Sequence, residues 1–197
     1  MEKIVPRQAV LIPDDAQKVF SGEIFDVYQW PQERFDGSIA TFEMLRRPDT
    51  VEFIVVRDGK LLFTEEEQPN KPLRVRIPGG RVDAGEDWLT AAKRECLEEL
   101  GLSLQNWQLV YVDQPASKIE WFCATFIASE VISEQPVHRD VGERISLRPY
   151  TFAEAKAAVE HTQDNELSYL RPLFDQAASL DELLALPEFT GKVIHRS

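Results

Sequence analysis

Within residues 80–102, acids, an arginine and glycines recur at spacings that could carry metal-dependent chemistry. Gly80 is followed by Glu86, and then by Arg94-Glu95-Cys96-Leu97-Glu98-Glu99-Leu100-Gly101-Leu102. On a helix Glu95, Glu98 and Glu99 stand at i, i+3 and i+4, so their carboxylates leave one face together. Glu99 borders the apolar stripe of that helix, Glu95 lies next to it, and Glu98 is farthest out. Three neighbouring carboxylates at the margin of a core repel one another, so a positive partner is expected among them. Oxygen-only ligands on a rigid helix suit a hard divalent cation, Mg²⁺ or Mn²⁺, which also accepts phosphate oxygens as ligands. Arg94 can brace one of the acids or reach back to Glu86. Gly79 and Gly80 after Pro78 permit a tight bend, where a backbone carbonyl could complete a metal shell.

An acid-rich helix face is commonly no more than a solvated face. The full spacing decides against that here. Seven specified Gly, Glu and Arg positions (Gly80, Glu86, Arg94, Glu95, Glu98, Glu99 and Gly101) would match by accident roughly once in 10⁸ windows.

Secondary structure must place these residues. No proline or glycine interrupts residues 87–100, where Leu89, Ala92, Cys96 and Leu100 form one stripe of a helix expected to face the core. Residues 23–30 and 39–45 flank a turn at Asp36-Gly37, and residues 51–56 and 60–63 form a hairpin around Asp58-Gly59. Residues 73–77 alternate strictly, with Arg74 and Arg76 on one face. Strands are expected at 108–112, 120–128 and 145–147, with a polar connection at 130–143. Thr151 and Glu154 read as a capping box, and helices follow at 167–178 and 180–186. Strands with helices among them indicate an α/β sandwich.

Composition narrows the partners. The chain has 197 residues and a formal charge of −12, so its average field repels phosphate. No nucleic acid partner is expected, and a phosphorylated substrate must be met locally by arginines or metal. No apolar run approaches the roughly 20 residues of a membrane helix, and residues 1–13 carry no secretory signal. Neither membrane association nor export is expected. Two cysteines, Cys96 and Cys123, each within an apolar pattern, fit a cytoplasmic protein without disulfides. His138, His161 and His195 have no zinc-like spacing, and no serine or cysteine nucleophile arrangement is evident.

Residues 80–102 resemble the signature box of the Nudix hydrolases, with every polar and glycine position filled and Cys96 standing where an aliphatic residue is usual. The resemblance implies a Nudix-type α/β/α sandwich with a mixed β-sheet over residues 49–197, with C-terminal helices, preceded by an N-terminal β-rich extension at 1–48. It implies hydrolysis of a nucleoside diphosphate linked to another group, using water and Mg²⁺ or Mn²⁺. Glu95, Glu99 and the Gly79 carbonyl would be metal ligands, with Glu98 a further ligand or a base acting through water. A further acid from a later loop would be Glu143, with Asp140 its competitor.

The long extension resembles that of the ADP-ribose and nucleotide-sugar pyrophosphatases, in which it builds a homodimer and part of the nucleotide pocket. Tyr28, Trp30 and Phe35 are then candidates for stacking on a base, each also suited to packing within its own hairpin. Pro115 lies close to the place of a proline that marks the ADP-ribose group. Arg74, Arg76 and Arg81 are candidate phosphate contacts, and Lys71 a weaker one. ADP-ribose or a nucleotide sugar is therefore the expected small-molecule substrate. A nucleoside triphosphate diphosphatase and a non-catalytic nucleotide-binding sensor are the alternatives.

Overall fold

A computed structural model describes residues 2–67, 73–137, 144–161 and 167–196. The strands are β1 (Glu2–Val5), β2 (Gln17–Ser21), β3 (Asp26–Glu33), β4 (Ile39–Arg46), β5 (Thr50–Arg57), β6 (Lys60–Glu67), β7 (Arg74–Arg76), β8 (Gly79–Arg81), β9 (Leu102–Asp113), β10 (Ile119–Glu120), β11 (Cys123–Glu134), β12 (Arg144–Tyr150) and β13 (Lys192–His195). The helices are α1 (Trp88–Leu100), α2 (Phe152–His161), α3 (Arg171–Phe174) and α4 (Leu180–Leu184), with a 3₁₀ turn at Ser168–Leu170.

The central sheet runs β12-β6-β5-β11-β9, with β7 added to β6 and β8 to β5. It is mixed, because β11 lies parallel to β5 whereas its other neighbour, β9, is antiparallel. β5 is covered on both faces, as its nearly unbroken apolar run requires. Val51, Phe53 and Val55 pack with Ala91, Ala92 and Cys96 of α1. Ile54 faces the opposite layer, with Ala155, Val159, Leu170, Leu173 and Leu183 from the later helices. The expected three-layer α/β/α sandwich with a mixed sheet is therefore present.

A second sheet, β10-β4-β3-β2, carries most of the N-terminal extension. β1 leaves it to pair antiparallel with β13, so the two ends of the chain form one ribbon. The segment after residue 179 thus closes the structure twice, through Leu183 in the core and through β13.

Several sequence expectations are corrected here. Leu89 is 38% exposed, and Trp88 and Ala91 take its place in the buried face of α1. Asp87 caps the helix by accepting the Thr90 N–H at 2.7 Å, and the stripe of Trp88, Ala91, Ala92 and Cys96 is rotated from the one anchored on Leu89. The expected strand at 73–77 shortens to β7, leaving Leu73 exposed. The strand expected at 120–128 divides, because β10 pairs with β4 while β11 pairs with β5 and β9. β11 continues to Glu134 inside the stretch expected as a connection, held there by pairing with β9.

Candidate active site

The acidic helix is fixed at both ends. Asp87 caps its start, and Gly101, in the left-handed conformation at φ 66°, sends its N–H to the carbonyls of Cys96 and Leu97. Helical spacing then places Arg94 among the acids. Its Nε donates to Glu86 Oε1 at 3.0 Å and its Nη2 to Glu86 Oε2 at 2.9 Å. Nη1 donates to Glu95 Oε1 at 2.8 Å and to Glu98 Oε2 at 3.2 Å, and Nη2 also reaches the Arg81 carbonyl at 2.9 Å. One guanidinium thus ties the loop before the helix to two box acids. The Glu86 hydrogen bonds raise the Arg94 pKa further, and the same contact lowers that of Glu86.

Glu95 is half-buried, and burial raises its pKa against the opposing pull of Arg94. Its carboxylate lies so close to Gly80 that a Cβ there would overlap it. Glu99 turns to the same bend and accepts the Gly79 N–H at 3.0 Å. A Cβ at Gly79 would run into the Val51 carbonyl of β5, so close backbone approach requires glycine there, whereas glycine at Gly80 leaves room for the Glu95 carboxylate. Glu98 is 56% exposed at the side chain, consistent with its outermost angular position.

The Gly79-Gly80 bend, against which Glu95 and Glu99 lie, forms part of the wall of a cleft of about 490 Å³. Gly79, Gly80 and Arg81 line it together with Arg76, Pro115 and Trp121. A smaller adjoining pocket of about 150 Å³ is lined by Glu52, Glu66, Arg76, Gly79 and Glu99. An oxygen-rich donor set at a bend with no side-chain bulk fits a hard divalent cation. Among the described residues no three acids already converge on a common point. Among the described residues, Arg94 is a positive partner of both Glu95 and Glu98.

Other expected residues are distributed differently. Arg76 and Arg81 line the cleft, but Arg74 does not and sits across the ladder from Glu66. Trp30 lies in the N-terminal sheet, its ring 5.7 Å from Phe42, and lines none of these cavities. Tyr28 is covered by the Arg46 guanidinium at 4.6 Å, and Phe35 stands fully exposed beyond the end of β3. Pro115 is in the cleft wall. Lys71, His138, Asp140 and Glu143 lie outside the described residues.

Sequence reasoning passed over Glu52, Trp121 and Tyr169. Trp121 lies in the cleft wall under the Arg47 guanidinium, 4.4 Å from its ring centre. The signal for Glu52 was a single charge within the apolar run 51–56. Nothing local marked Tyr169, which comes from the C-terminal layer.

Comparison with known proteins gives the family. The NUDIX domain family model matches residues 46–173. The chain belongs to the NUDIX family, as a Nudix hydrolase. It is 28% identical over 151 residues to the ADP-ribose pyrophosphatase of Bacillus subtilis (strain 168), covering 73% of this chain and 80% of that protein. It is 26% identical over 163 residues to the methanol dehydrogenase activator of Bacillus methanolicus, covering 79% and 80%. A crystal structure of an ADP compounds hydrolase superposes with a TM-score of 0.63 over 83% of this chain and 92% of that one, at 18% identity, and supports the fold.

Proposed function

We propose that this chain hydrolyses the diphosphate bond of ADP-ribose or a similar nucleoside diphosphate sugar, giving a nucleoside monophosphate and a sugar phosphate. The observation that carries this reading is the cleft itself. The Gly79-Gly80 bend, Arg76, Arg81, Pro115 and Trp121 all line it, and its volume lies within the range of small-molecule sites. Such a cleft accommodates groups on both sides of a diphosphate. Similarity to an ADP-ribose pyrophosphatase supports the choice of sugar nucleotide.

Glu95, Glu98, Glu99 and the Gly79 carbonyl would hold Mg²⁺ or Mn²⁺. When bound, the metal neutralises the diphosphate and acidifies water. Arg76 and Arg81 line the cleft where phosphate oxygens would lie. Arg94 positions Glu95 and Glu98, and Glu98 or Glu143 receives the proton of the attacking water. No covalent enzyme intermediate is involved. The exposed Val19, Phe20, Ile24 and Ile39 of the extension support a homodimer, and the buried unpaired thiols of Cys96 and Cys123 support a cytoplasmic setting.

The test is one panel of ADP-ribose, nucleotide sugars, dinucleotides and triphosphates, with Mg²⁺ or Mn²⁺ and products resolved by chromatography. AMP and ribose 5-phosphate from ADP-ribose are expected. Pyrophosphate from triphosphates as the dominant product overturns the reading.

A further inference from the structure

Along residues 51–56 of β5 the one charged side chain is Glu52. Strand alternation puts it on the face of Ile54, away from α1, where Tyr169 and Arg76 meet it. Glu52 is 7% exposed. The Tyr169 hydroxyl donates to its carboxylate, but Oε2 has no hydrogen-bond partner among the described residues. Buried carboxylate oxygens are costly to leave without a donor, and natural structures rarely do so without a ligand or ordered water. Glu52 is also no distant core residue. It pairs with Gly79 in the β5–β8 ladder and lines both the large cleft and the adjoining pocket.

We propose that Glu52 is a specificity-determining residue, its Oε2 accepting a hydroxyl of the sugar beyond the diphosphate, so that the cleft prefers nucleoside diphosphate sugars to nucleoside triphosphates. This inference rests on the hydrolase reading above and names the group that enforces it. A sugar offers hydroxyl donors. An ionised terminal phosphate offers acceptors, and acceptor against acceptor leaves both unpaired. Sites built to bond a hydroxyl discriminate strongly against ligands that lack it. Tyr169 is the positioning residue, since its hydroxyl engages the same carboxylate and holds it in place.

Steady-state kinetics of the wild type, Glu52→Gln and Tyr169→Phe on ADP-ribose and on ATP, with Mg²⁺, tests this. In Glu52→Gln the Tyr169 hydroxyl retains the amide oxygen as acceptor, and the NH₂ replaces Oε2, so a donor stands where an acceptor stood. The expected result is a rise in KM for ADP-ribose of about 10- to 100-fold, with kcat little changed and KM for ATP lowered. Tyr169→Phe raises KM for ADP-ribose by less and leaves that for ATP unchanged. Selectivity equal to wild type in Glu52→Gln, or an equal loss on both substrates, overturns the proposal. Should Glu52→Gln fail to fold, wild-type kinetics in Tyr169→Phe overturns it. Wild-type turnover of ATP and of no nucleotide sugar overturns the hydrolase reading and this inference together, whereas turnover of ADP-ribose with unaltered selectivity in the variants overturns this inference alone.

Discussion

Arg94 grips Glu86 through two parallel hydrogen bonds, Nε to Oε1 at 3.0 Å and Nη2 to Oε2 at 2.9 Å. This fork joins the loop before the helix to the acidic face, so in the proposed reaction Arg94 would act through the positions of Glu95 and Glu98. Arg94→Lys keeps the charge but loses the planar fork. It is expected to lower kcat about 10- to 100-fold, as losing a partner that orients metal ligands does, with the circular dichroism spectrum unchanged. The fork also sets a pH dependence. Arg94 lowers the Glu86 pKa from its ordinary 4.5, so its contribution to stability is present above that value and lost as pH falls through the lowered one. Melting temperatures of wild type and Arg94→Lys should therefore converge under acid conditions.

Glu99 accepts the Gly79 N–H, which holds its carboxylate at the bend where the metal would sit. Glu99→Gln can keep that hydrogen bond through its amide oxygen while losing the charge. Hydrolysis is expected to fall by at least about 10²-fold, and chelation by EDTA should abolish wild-type activity, restored by added Mg²⁺. An unchanged rate in Glu99→Gln removes the metal role of this residue.

Asp49 organises the junction between the extension and the core. Its Oδ2 accepts Lys3 Nζ at 2.7 Å and Trp88 Nε1 at 2.9 Å, and its Oδ1 accepts the Phe122 N–H at 3.1 Å. The side chain is 4% exposed. Asp49→Ala leaves an indole N–H and a backbone N–H buried without partners and Lys3 without its anion. A loss of about 3 kcal/mol is expected, near the lower end for a broken buried ion pair because Lys3 is partly solvated. Urea unfolding followed by tryptophan fluorescence measures it.

Local patterns made some of the fold readable and left other parts silent. The hairpin at Asp58-Gly59 was legible because two successive positive φ values, 51° and 72°, suit that dipeptide. The capping box was legible too: the Thr151 N–H and hydroxyl both donate to Glu154 Oε2, and the Glu154 N–H returns to the Thr151 hydroxyl. The spacing of residues 80–102 foretold the meeting of Arg94 with Glu86, Glu95 and Glu98. By contrast, the pairing of β1 with β13 joins residues at opposite ends of the chain, and no neighbouring residue encodes it. The place of Trp30 depends on packing against Phe42, and an aromatic side chain alone does not distinguish a base-stacking platform from a hairpin contact.

Neither cysteine should behave as a reactive thiol. Burial pushes the Cys96 pKa up to about 12, and burial raises that of Cys123 as well. The thiolate is the reactive form, so a raised pKa and an inaccessible sulfur act in the same direction. In mildly alkaline buffer the native protein is expected to leave both unmodified by a disulfide reagent, and both should react after denaturation. Rapid native modification of either would contradict its placement in the core.

The adjacent glycines of the bend should fail in different ways when each is given a methyl group. A Cβ on Gly79 would collide with the Val51 carbonyl and the Glu52 Cα, which are backbone atoms of the central strand β5. Relief requires separating β8 from β5, so Gly79→Ala is expected to destabilise the fold by about 1–3 kcal/mol. A Cβ on Gly80 would instead meet the Glu95 carboxylate, the far end of a side chain that can rotate away. Gly80→Ala should therefore fold with nearly wild-type stability but lose activity, because the displaced carboxylate can no longer serve the metal or hold its 2.8 Å contact with Arg94. Thermal unfolding and ADP-ribose turnover measured on both variants separate the two costs, and a fully active Gly80→Ala would mean that Glu95 need not stand against the bend for catalysis.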